Sequence, residues 1–164
     1  MTKRAHRKDR KQTLSLRVPS EDDWGDYKSD LDQNHAHSVF AGRTNEEMQP
    51  FFRQNPIGLT EDLRWMPELP FRYYILGFRD FVMAKQFDFR DGSDAASCFL
   101  GLVLEKLEEN ARLIVPVMPS LLSAVEYVAR NQKLFDADEH IYGNFPEKLS
   151  RIQALYAPYA SLNH

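Results

Sequence analysis

The chain has a single cysteine among its 164 residues, Cys98, so it can form neither an intrachain disulfide nor a cysteine-based zinc site. No apolar run approaches the roughly 20 residues that span a bilayer, and no membrane association is expected. Near the N-terminus Leu14, Leu16 and Val18 do not make the apolar stretch of a secretion signal, which leads to the expectation of a cytoplasmic protein. The seven glycines are scattered and build no phosphate-cradling loop. Gly-x-Ser-x-Gly, Ser-x-x-Lys and Glu-x-x-His are all missing. Their absence removes the nucleophile elbow, the serine–lysine arrangement and the paired-helix di-iron site. Alternating apolar runs bounded by hairpin turns are missing too, as is any internal repeat at a helical-hairpin period.

What the sequence does hold is the material of one globular domain. Hydrophobic residues make up 43%, charged residues 27% and aromatic residues 12%, outside the range of collagen-like or disordered chains. A chain of about 150 residues buries roughly 70% of its unfolded surface, enough for a core without staples. The net charge of −3 conceals a division. Residues 1–20 carry seven Lys and Arg against Asp9, a net of +6, which leaves −9 for the rest of the chain. We read a basic arm over residues 1–19 and a helical domain over residues 20–164. In the arm, Lys3, Arg4, Arg7, Lys8, Arg10 and Lys11 are candidates to contact a polyanion, which would give weak, salt-dependent nucleic-acid binding. A solvated leader, or an arm docked on the acidic body, accounts for the same charges.

Apolar spacing predicts an all-α fold, a single-domain irregular bundle of about six to eight helices. Ser20 precedes the acids Glu21, Asp22 and Asp23, and Trp24, Tyr27 and Leu31 recur at i, i+3 and i+7. That predicts an amphipathic helix interrupted once at Gly25. Residues 34–43 are ambiguous. Thr44 and Glu47 form a capping box ahead of a short or kinked helix through Phe52. Asn55 and Pro56 start another, to about Arg64. The best-defined helix begins at Pro70, with Phe71, Tyr74, Ile75, Phe78, Phe81 and Val82 on one face and Leu76 and Met83 on a second. A further helix starts at residues 92–94. Residues 115–119, with two prolines, read as an extended link. Helices over 120–131, 136–142 and from Pro146 complete the chain.

Candidate chemistry is sparse. Asp30, Asp32, His35 and His37 supply ligands that zinc, iron or manganese accept, so Asp32, His35 and His37 form a candidate metal set. On a helix, however, side chains two residues apart diverge by about 200°, which favours a polar helix end. Asp136 and His140 share a helical face, and Asp136 with Glu139 also reads as a plain capping box. Cys98 lies among apolar neighbours, the setting of an inert core thiol. Glu105, Glu108 and Glu109 read as the solvated end of a helix.

Aromatics gather in residues 51–90, which hold half of the chain's 20, interleaved with Arg53, Arg64, Arg72, Arg79 and Arg90. Stacking rings beside basic groups are what single-stranded nucleic acid uses, yet nearby acids nearly cancel the charge and the spacing fits a core. Arg72, Leu76, Arg79 and Met83 lie on one helical side. Such a mixed stripe suits a partner surface or an anion pocket, and equally arginine stems covering a small core.

The expected function is therefore that of a non-enzymatic binding protein whose acidic helical body engages another protein, by analogy an inhibitor, adaptor or antitoxin. The alternative is a small metal-dependent hydrolase or acid/base enzyme built on residues 30–37. No cofactor is indicated.

Overall fold

Side-chain caps set most of the helix starts. The computed structural model describes residues 17–88 and 91–163. Asp30 accepts from the Gln33 amide at 3.0 Å and opens α1 (Leu31–Phe40). Thr44 accepts from the Glu47 amide at 3.1 Å and opens α2 (Asn45–Gln54), one half of the expected capping box, while the Glu47 carboxylate accepts from the Thr44 hydroxyl at 3.2 Å. Asn55 accepts from the Gly58 amide at 2.9 Å, with Pro56 as the first residue of α3 (Pro56–Trp65). Each cap satisfies one N–H that a helix leaves without a partner, worth about 1 kcal/mol. α4 (Glu68–Ala84) and α5 (Asp91–Glu109) follow. Next come α6 (Ala111–Ile114), a 3-10 turn at Val115–Val117 and α7 (Met118–Arg130). The chain closes with α8 (Glu139–Tyr142) and α9 (Phe145–Ala160). Among the described residues there are nine α-helices and no strand, and the fold is all-α.

The helices pack around α4 and α5, which lie against each other. α2, α3 and α7 touch α4, while α3, α7 and α9 touch α5. The face expected from spacing is the face buried: Phe71, Tyr74, Ile75, Phe78, Phe81 and Val82 are at most 2% exposed. Its centre is aromatic. Phe52 stacks on Phe78 at 5.3 Å and on Phe81 at 5.8 Å, and Phe99 meets Phe78 edge-on at 5.9 Å. At the α2–α4 seam Asn45 Nδ2 donates to the Tyr73 carbonyl at 2.9 Å and Gln49 Nε2 to the Gly77 carbonyl at 3.0 Å. Gly77 leaves the space that the Asn45 side chain occupies, where a Cβ would stand 2.6 Å from Asn45 Cγ. The Tyr74 hydroxyl lies 2.7 Å from the carbonyls of both Phe40 and Arg43, tying the end of α1 to α4.

Three local expectations are corrected. Trp24, Tyr27 and Leu31 do not share a helix. Gly25 takes a positive φ of 59°, so Glu21–Trp24 and Tyr27–Ser29 form separate 3-10 turns, and Asp30 then starts α1 in a new phase. Trp24 and Tyr27 are buried, whereas Leu31 is 87% exposed. Residues 115–119 are helical rather than extended, because Pro116 and Pro119 fall in first turns, where a missing N–H costs nothing. Asp136 is not a cap: it has a positive φ of 56°, and Asp138 caps α8 by accepting from the His140 amide. The preceding loop is organised by Gln132, whose amide spans the Ala137 and Gly143 carbonyls and the Phe145 N–H.

The helical continuity of Ala111–Arg130 also revises the apolar-run estimate. This 20-residue stretch, of mean hydropathy 1.3, is long and apolar enough to cross a bilayer by length and composition. Its Met118, Leu121, Ala124, Val125, Val128 and Ala129 are buried, and α7 packs against α9, α4 and α5, as a core helix does.

Candidate functional site

α1 carries the histidines singled out by the sequence and points them apart. His35 Nδ1 lies 2.6 Å from Asp62 Oδ1 on α3, with the His35 side chain 68% exposed and that of Asp62 7%. Burial pushes the Asp62 carboxyl above its ordinary pKa, and the hydrogen bond to His35 works in the opposite direction. His37 turns the other way. Its Nε2 lies 2.8 Å from Glu21 Oε2, its ring stacks on Tyr27 at 3.7 Å and 8°, and the edge of Trp24 meets it at 5.2 Å. Asp32, His35 and His37 are thus not brought together. Among the described residues no group of three or more His, Cys, Asp or Glu could hold a metal ion.

Around His37 the polar and aromatic groups close into a ring. The Tyr27 hydroxyl donates to Glu21 Oε1 at 2.7 Å, while the other oxygen of Glu21 meets His37. Hydrogen bonds from His37 and Tyr27 hold the Glu21 carboxyl below the usual carboxylate range. The buried indole N–H of Trp24 has no hydrogen-bond partner among the described residues. Nothing in the sequence marked Glu21 and His37 as partners, since they stand 16 residues apart; only the fold of residues 17–29 back onto α1 joins them.

The stripe of Arg72, Leu76, Arg79 and Met83 faces the α6–α7 segment. Pro116 has no N–H, so the Arg112 carbonyl lacks its helical donor. Arg72 Nη2 supplies one at 2.8 Å, and Arg72 Nε donates to the Leu113 carbonyl at 2.9 Å. Arg79 Nη1 likewise donates to the Ser120 carbonyl at 2.9 Å, and Leu76 is buried. The stripe lies in an intramolecular seam, with the arginines bound to backbone. Arg72→Met is therefore expected to cost about 1 kcal/mol in urea unfolding, since the Arg112 carbonyl sits near solvent and water offsets part of the loss. Unchanged stability would show that water serves these carbonyls equally well.

Comparisons with protein-family models, curated proteins and solved structures return no match to this chain. The reading of the site rests on its geometry. Cys98 is half-buried rather than fully in the core, and burial pushes its thiol above the ordinary range. Glu105 and Glu108 pair with Arg64 and Arg151. Lys106, in the last turn of α5, is buried. Its Nζ donates to the Arg64 carbonyl at 2.6 Å, near the C-terminus of α3, and burial lowers its pKa. Most of the aromatic-rich stretch is core, which leaves Trp65, at 47% exposure, as its open ring among the described residues. Arg90 and the arm residues Lys3, Arg4, Arg7, Lys8, Arg10 and Lys11 lie outside the described residues.

Residues 21–32 present an acidic surface. Glu21, Asp22, Asp26, Asp30 and Asp32 are all exposed along residues 21–32, with Lys28 as the one base among them. Leu31, 87% exposed, lies between Asp30 and Asp32 in the chain.

Proposed function

We propose that this chain is a non-enzymatic binding protein whose acidic helical body engages a basic partner protein through residues 21–32. The observation that supports this is the exposed Leu31, at 87%, in a 12-residue segment that carries five exposed carboxylates, Asp30 and Asp32 beside it in the chain. An apolar contact beside a mainly acidic surface is the pattern by which an interface gains affinity at its centre and selectivity at its rim. The body's charge of −9 outside residues 1–20 favours approach of a cationic surface. The acid/base alternative retains one observation, the buried Asp62 that orients His35, but its metal set is not assembled.

The test uses Asp22, Asp26 and Asp32, which make neither the helix cap of Asp30 nor the ring of Glu21. Affinity capture from native lysate is performed with wild type and with the triple variant Asp22→Asn, Asp26→Asn and Asp32→Asn. Wild type should recover one basic protein stoichiometrically at low salt. Recovery should fall about tenfold in the variant and again at 1 M salt, where the screening length is about 3 Å. Equal recovery in all three conditions would overturn the reading. Nucleic acid recovered only with residues 1–18 intact would favour the arm instead.

A further inference from the structure

We infer that residues 17–29 form a strap that fastens to and releases from the helical body as one unit, with the His37 imidazole as its clasp. The local structure is weak: two 3-10 turns of four and three residues, separated by Gly25 at a positive φ. Short 3-10 turns do not persist alone, so the strap depends on what it packs against. Within it only Pro19, Trp24 and Tyr27 are buried. The rings of Trp24 and Tyr27 both close on His37, one edge-on and one face-on. Trp24 also leans on Tyr74 of α4 at 6.3 Å.

The strap's polar bonds show the same division. Arg17 pairs with Asp23 at 3.1 Å, the Ser20 amide donates to Asp23 at 2.8 Å, and Ser29 donates to the Asp26 carbonyl at 2.8 Å. These are internal and travel with the strap. Among the described residues its side-chain hydrogen bond to the body is that of Glu21 with His37, at 2.8 Å. Asp30, which caps α1, is the hinge beyond which the chain belongs to the body. The partnerless Trp24 N–H gives release a further advantage, because water would satisfy it.

The consequence rests on the proposed partner face. Glu21, Asp22 and Asp26 are on the strap, while Asp30, Leu31 and Asp32 are on the hinge and α1. Fastening assembles the two halves, and release separates them. A segment held by few contacts opens at lower free energy than the core and sets when a surface is available.

Amide hydrogen exchange on the full chain, without any partner, tests the strap alone. In wild type, peptides of residues 17–29 should exchange faster than those of α4 and α5. His37→Ala should raise exchange in the strap about tenfold and leave α4 and α5 within about twofold. Tyr27→Phe, which keeps the stack and removes only the hydroxyl bond to Glu21, should raise it in the same peptides by a smaller factor. Equal protection of strap and core in wild type, an unchanged strap in His37→Ala, or an equal rise in all helices would each overturn the inference. Because no partner is present, a failed capture leaves this result standing, and failed exchange leaves the capture result standing.

Discussion

Phe78→Ala is expected to remove about 3–5 kcal/mol of stability, the loss typical of a fully buried aromatic cut back to a methyl group. Phe78 is completely buried on α4 and meets Phe52 of α2 and Phe99 of α5. Its removal opens a void where three helices converge, and it also ends three ring contacts, to Phe52, Phe81 and Phe99, each worth about 0.5–1.5 kcal/mol beyond the area buried. The neighbours are themselves held: Phe81 stacks on Phe52, and the Tyr74 hydroxyl is tied to the Phe40 and Arg43 carbonyls. Collapse into the void is therefore limited, which places the expected loss toward the upper end. Urea unfolding, with the slope checked against wild type, measures it. A loss below about 2 kcal/mol would show that the cluster repacks, and that the rings are less constrained than their geometry states.

Gly77→Ala and Gly101→Ala should move stability in opposite directions, although both glycines lie inside long helices. A Cβ at Gly77 would stand 2.6 Å from Asn45 Cγ and 3.0 Å from Asn45 Cβ. The Asn45 amide cannot swing aside without losing its bond to the Tyr73 carbonyl. The α2–α4 seam must then open, at a cost of about 1–3 kcal/mol. At Gly101 a Cβ would meet nothing within 4 Å. There alanine only relieves the helix penalty of glycine, a gain of about 0.5–1 kcal/mol. Thermal unfolding of the two variants beside wild type decides it. A stabilising Gly77→Ala would mean that the seam tolerates the extra carbon, and that close approach is not why glycine is there.

The legibility of this chain differs from segment to segment. α4 was readable because its six core positions repeat at helical spacing over 12 residues, a signal that needs no knowledge of neighbours. The caps at Thr44 and Asn55 were readable because a cap acts on an amide only three residues ahead. Residues 24–31 misled for a matching reason. The spacing of Trp24, Tyr27 and Leu31 was helical, but one positive φ at Gly25 broke the phase, and spacing carries no record of φ. The prolines at 116 and 119 misled in the opposite sense, since the same residue breaks a helix in its interior and suits one in its first turn.

By itself, then, the sequence determined what depends on neighbours along the chain: the all-α class, the apolar face of α4, the caps, the exclusion of an intrachain disulfide, and the division of charge. The tertiary structure alone decided what each polar group on those helices does. It paired His35 with Asp62 across 27 residues and His37 with Glu21 across 16, turned Arg72 and Arg79 onto backbone carbonyls about 40 residues away, and buried Lys106. The physical reason is the range of the forces involved. Helix periodicity and capping act within a turn or two, whereas a hydrogen bond or ion pair forms wherever folding brings two side chains within about 3 Å, and no local pattern encodes which two will meet.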